Sequence, residues 1–153
     1  MIRYDHAGPD DIAVMRELFK EYGLSLGIDL SFQGFDHELE TLPGAYAPPG
    51  GAVIIARQEG APCGCIALRR IDDHTCEMKR LYVRPGSRGE GVGAELVRRI
   101  IETARGLGCA AMRLDTLPSM KSAVSLYRSF GFAEIPAYIY NPIPGALFME
   151  KSL

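Results

Sequence analysis

Apolar positions change period along the chain, and the changes mark out its elements. Ile12, Met15, Leu18, Phe19 and Tyr22 recur at three- and four-residue spacing, which predicts a helix from about Pro9 to Leu26. Pro9, Asp10 and Asp11 supply its start chemistry and Gly27 its end. A short strand over residues 2–7 precedes it. Ala52 to Gln58, Cys63 to Ile71 and Thr75 to Val83 read as three strands parted by turn residues, an antiparallel meander. Helical spacing returns with Val92, Leu96, Val97, Ile100, Ile101 and Ala104, and stops at Gly108. Cys109 to Leu117 is the next strand. Pro118 and Ser119 then open a helix with Ala123, Leu126, Tyr127 and Phe130 on one face and Gly131 at its end. Phe132 to Tyr140 and Ala146 to Lys151 complete the pattern as two strands.

The pattern fails only between Ile28 and Gly51, where Phe32, Phe35, Leu39, Leu42 and Tyr46 are scattered among glycine and proline. A structureless loop of that length is uncommon in a compact domain, so a short helix near Phe35 to Thr41 and a functional role for the rest are expected. The whole predicts one α/β domain over residues 1–153, with a mixed central sheet of about seven strands and about four helices.

Composition narrows the partners. A net charge of −2 with 24% charged residues offers no footprint for nucleic acid or an anionic membrane. Cys63, Cys65, Cys76 and Cys109 include no CxxC pair, and no histidine cluster has ligand spacing, so no metal is expected. Buried thiols in a reducing compartment account for them. The start of the sequence lacks a signal peptide's apolar core and no apolar run reaches spanning length, which points to a cytoplasmic protein. A homodimer stays open.

The candidate chemistry lies between the third strand of the meander and the next helix. Gly86, Gly89, Gly91 and Gly93 surround Arg88 there. Glycines let successive N–H groups converge, a helix start adds unpaired donors and a positive dipole end, and an arginine adds a forked cation. Together they make a cradle for phosphate. Gly89-Glu90-Gly91-Val92-Gly93-Ala94 also fits the GxGxxA dinucleotide fingerprint, with Asp115 near the distance of a ribose-binding acid. An NAD-binding oxidoreductase is therefore a competitor. Against it, residues 84–88 intervene between the strand and the first glycine of that fingerprint, and an antiparallel meander comes before. A Walker loop is excluded, since no Gly-Lys-Ser/Thr follows.

Arg88-Gly89-Glu90-Gly91-Val92-Gly93 resembles the Arg/Gln-x-x-Gly-x-Gly/Ala acetyl-CoA segment of the GNAT (GCN5-related) N-acetyltransferases. The stretch from Ser122 through Tyr127 to Gly131 and Phe132 is similar to the family's second motif, with serine where asparagine is common. The order of elements matches the family along nearly the whole chain. The resemblance implies a GNAT fold and transfer of an acetyl group from acetyl-CoA to a primary amine by direct attack in a ternary complex. It implies pyrophosphate contacts from Arg88, Gly89, Glu90, Gly91, Val92, Gly93 and Ala94, pantetheine contacts from Leu81, Tyr82 and Val83, and a place for Ser122 beside the pantetheine arm.

Tyr127 resembles the family's general acid, which protonates the departing thiolate. An alkyl ammonium, with a pKa of about 10.4, must lose a proton before it attacks. Glu77 is the candidate base, directly or through water, its rival role being an exposed strand carboxylate paired with Lys79 or Arg80. Arg84 and Arg128 are candidates for the ribose phosphate or for solvent. Phe32, Phe35, Tyr46 and Tyr138 are expected to line the acceptor pocket. An acyl-CoA-binding domain without catalysis is the alternative from a different class.

Overall fold

Seven strands form one sheet in the computed structural model, which describes residues 1–153. They are β1 (Ile2–His6), β2 (Ala52–Gln58), β3 (Ala61–Arg70), β4 (Thr75–Val83), β5 (Ala111–Thr116), β6 (Ala133–Glu134) and β7 (Leu147–Ser152). Their order across the sheet is β1-β2-β3-β4-β5-β7-β6. Only β4 and β5 run parallel, joined by a crossover through a helix, and every other neighbour is antiparallel. This is not the doubly wound parallel sheet that a dinucleotide site requires.

Four helices cover the two faces: α1 (Ile12–Ser25), α2 (Phe35–Glu40), α3 (Val92–Gly106) and α4 (Lys121–Ser129). α3 buries Leu96, Val97 and Ile100 completely against Ile66, Leu68 and Met112. On the other face α1 buries Leu18 and Phe19 against Ile55 and Cys65. Each such aliphatic side chain contributes about 1.5–3 kcal/mol. Cys63 and Cys65 serve opposite cores, and all four cysteines are buried thiols. No helix is long and apolar enough to cross a membrane.

Of the boundaries that differ from the sequence reading, two have a local chemical cause. The first helix opens with a separate 3-10 turn, Pro9–Asp11, where the Asp11 carboxylate accepts from the Gly8 N–H at 2.8 Å. The strand expected over Phe132 to Tyr140 shrinks to Ala133–Glu134. Its pairing with β7 ends as the Ile135 N–H donates to the Phe148 carbonyl, because Pro136 has no N–H with which to continue.

One irregularity positions the site. Cys65 pairs with Tyr82 and Ala67 with Lys79, so one residue of β3 faces two of β4. Arg80 takes up the bulge with a left-handed φ of 62°. The bulge lets Lys79 and Arg80, adjacent in sequence, both reach Gln33 in the segment between α1 and α2.

Candidate active site

The site begins where the sheet opens. β4 and β5 pair only at Thr75 with Ala111, Cys76 with Met112 and Glu77 with Arg113. Beyond Glu77 the strands part, and a narrow cavity of about 30 Å³ lies between Met78, Leu81, Leu114 and Tyr127. Backbone groups of β4 on this edge have no ladder partner in β5, as donors awaiting a ligand would.

Tyr127 reaches the cavity from α4, where its ring is buried and packs edge-on to Phe132 at 6.0 Å. No protein group hydrogen-bonds its hydroxyl. Burial, with Tyr22 and Asp115 nearby, raises its pKa well above the ordinary phenol value, so it holds its proton at neutral pH.

Beside the cavity runs an open groove of about 890 Å³. Tyr22, Leu26, Leu81 and Met120 line both spaces, which makes them continuous. Of the residues expected to hold the cofactor, every one but Glu90 lines this groove. Gly89 and Gly91 need their missing side chains, with φ of 83° and 78°. Gly93 does not have a left-handed φ and lies within the first turn of α3, and Gly86 lies outside the groove lining, so only two of the four glycines serve the turn as expected. No side chain caps α3, leaving its first N–H groups free at the groove. Arg88 donates its Nε to the Val83 carbonyl at 2.9 Å and lines the same wall. An uncapped helix start, left-handed glycines and a tethered guanidinium fit a pyrophosphate. Ser122 stands on the opposite wall in the first turn of α4.

The other arginines are engaged elsewhere. Arg84 binds Glu21 at 2.7 Å and Glu17 at 2.9 Å on α1, and Arg128 pairs with Glu134 at 3.0 Å.

The acceptor side differs more from expectation. Glu77 is not an exposed strand residue but wholly buried. Its carboxylate accepts from Arg69 Nε at 2.7 Å and from the Tyr138 hydroxyl at 2.5 Å, with Lys79 Nζ at 3.9 Å. It does not line the cavity. Of the four aromatics, only Phe32 does. Phe35 stacks under the Arg80 guanidinium at 5.0 Å, Tyr46 is a core residue bonded to Glu38, and Tyr138 is taken up by Glu77 and the Phe148 ring. These three do not line the cavity. Their rings signalled burial, and burial in the core satisfies that signal as well as a pocket would.

The polar groups that do line the cavity are Gln33, Lys79, Arg80, Asp115, Thr116 and Asn141. Three charges at Glu77, Lys79 and Arg80 inside an otherwise apolar strand were the available signal, since such residues are rarely buried without a task.

An open sheet beside an uncapped helix start, with an anion cradle on one side and a buried acid on the other, is the arrangement of an α/β enzyme with room for a phosphate-bearing carrier. The profile of the Acetyltransferase (GNAT) family matches residues 13–132. An uncharacterized N-acetyltransferase of Schizosaccharomyces pombe is 44% identical over 95% of this chain and 90% of its own. A GNAT-family acetyltransferase from Staphylococcus aureus superposes with a TM-score of 0.82 at 22% identity, covering 99% of both chains. A Salmonella typhimurium protein solved with its cofactor acetyl-CoA superposes at 0.74 with 22% identity, over 99% of this chain and 94% of that one. The chain belongs to the GNAT acetyltransferase family.

Proposed function

We propose that this protein transfers the acetyl group of acetyl-CoA to the primary amine of a small acceptor by direct attack in a ternary complex. The observation that carries the reading is the meeting of groove and cavity at Leu81 and Met120, in a cavity that the unbonded Tyr127 hydroxyl also lines. Similarity to a named N-acetyltransferase and to a fold solved with acetyl-CoA supports it. Acetyl-CoA, when bound, supplies a thioester whose acyl carbon a neutral amine can attack.

The residues divide the work. Val92, Gly93 and Ala94 offer N–H groups, and Arg88 a cation, to the pyrophosphate. The unpaired edge of β4 around Leu81 offers backbone hydrogen bonds to the pantetheine and to the thioester oxygen. Tyr127 gives its proton to the sulfur as the carbon–sulfur bond breaks. Asp115 faces the cavity with one oxygen accepting from Asn141 at 3.0 Å, and with water it takes the proton that the amine loses. Glu77 lies one layer behind, its carboxylate held by Arg69 and Tyr138.

Thermal-shift measurements with acetyl-CoA, CoA and NAD, followed by thiol release across a panel of amines, test the proposal. Acetyl-CoA and CoA should raise the melting temperature, NAD should not, and at least one small amine should release thiol. Stabilisation without thiol release from any amine would overturn acetyl transfer and favour a binding domain.

A further inference from the structure

The cavity carries charges that the proposed chemistry does not use. Lys79 is 9% exposed and lines the cavity floor. Its nearest carboxylate oxygen is Glu77 Oε1 at 3.9 Å, and that oxygen is already bound at 2.7 Å by Arg69. Arg80, beside it, is fully matched by Glu38. Arg69, Lys79 and Arg80 thus share two carboxylates, Glu77 and Glu38, leaving one positive charge without a close partner. Burial first, and Arg80 second, lower the Lys79 pKa below the ordinary lysine value, against the opposing pull of the Glu77 and Asp115 carboxylates.

Gln33 extends this cationic corner. Its Oε1 accepts from Arg80 Nη1 at 2.8 Å and from Lys79 Nζ at 3.4 Å, which turns its amide N–H groups away from both cations. Asp115 lies on the other strand lining the cavity, with no cationic partner within salt-bridge distance. The cavity therefore has a positive corner on β4 and a negative one on β5.

Building on the acetyltransferase reading, we propose that the acceptor is a small amino acid, bound as a zwitterion. Lys79 and the Gln33 amide take its carboxylate, and Asp115 faces its amine. A carboxylate supplies the charge that Lys79 lacks, and a neutral amine or a lysine side chain cannot.

Free amino acids, their carboxamides and the corresponding decarboxylated amines form a matched series for thiol release, with titration calorimetry in the presence of CoA as a second readout. At least one free acid should exceed its own amide and decarboxylated amine by tenfold or more in kcat/KM, mainly through KM, and should give binding heat where the others do not. Lys79→Met, of similar volume, should bring the acid-to-amide ratio close to one. Gln33→Glu keeps the acceptor oxygen for Arg80 but turns an anion toward the ligand, and it should depress the acid selectively. Equal use of acid and amide, or equal loss of both in Lys79→Met and Gln33→Glu, would overturn the inference and leave acetyl transfer standing. No thiol release from any amine would overturn both.

Discussion

Arg80 forks the carboxylate of Glu38, its Nε and Nη2 each donating over 2.9 Å to a different oxygen. The guanidinium also lies over the rings of Phe35 and Tyr22 at 5.0 and 5.5 Å. One residue in a left-handed bulge thus ties α2 to the centre of the sheet, so the wall of the cavity and its floor are a single structure. Glu38→Gln would leave the buried guanidinium without its anion. Breaking a buried pair from one side costs about 3–5 kcal/mol, and a lowered urea midpoint with an unchanged slope would show it.

Tyr127→Phe removes a proton donor but keeps the ring against Phe132. Turnover should fall by about a hundredfold or more, the contribution of general acid catalysis, while acetyl-CoA affinity by calorimetry stays near wild type. Unchanged turnover would remove Tyr127 from the mechanism.

Gly91→Ala and Gly93→Ala separate backbone strain from space. Gly91 has a φ of 78°, so an alanine there should cost about 1 kcal/mol and weaken acetyl-CoA binding by misaligning the cradle. At Gly93 a Cβ would meet Leu126 Cδ2 at 3.7 Å, ordinary contact, and the position is helical. Gly93→Ala should leave the melting temperature of the free protein unchanged or slightly raised.

Acid should act on the helix that carries the cradle. Glu95 in the first turn of α3 is bound by Arg98 and by Arg99, and hydrogen bonding, Arg98 foremost, holds its pKa down at about 2 against an ordinary 4.5. A depressed carboxylate contributes stability above its unfolded value and loses it as pH falls through the folded one. The contribution is therefore complete above pH 4.5 and disappears toward pH 2. Glu95→Gln should make stability fall less steeply across that interval. The group is partly solvent-exposed, so the difference should be small and shrink with added salt. Urea midpoints at several acidic pH values, at low and high ionic strength, would show it.

Much of this was legible in the chain. Strands β2 and β4 have the ends that apolar runs and turn residues predict, because both signals are local. The glycine segment lines the groove for the same reason: its residues are near neighbours in sequence, and one strand–turn–helix unit presents them together. The acceptor cavity was much less legible. Its polar groups come from positions as far apart as Gln33, Lys79 and Asn141, and no local pattern ties those together. Aromatic content pointed to Phe35, Tyr46 and Tyr138, all of which found partners outside the cavity.

The glycine-rich turn, the uncapped start of α3 and the place of Tyr127 on its helix face follow from sequence, since conformational preference and helical period act over a few residues. The charge balance of the site does not. Whether Glu77 faces solvent or sits sealed beneath Arg69, Lys79 and Tyr138 depends on partners 2 to 61 residues away. The bulge at Arg80 likewise depends on the register of β3 against β4. Burial converts such pairings from minor surface contacts into determinants of the cavity's charge, and only tertiary structure brings the partners together.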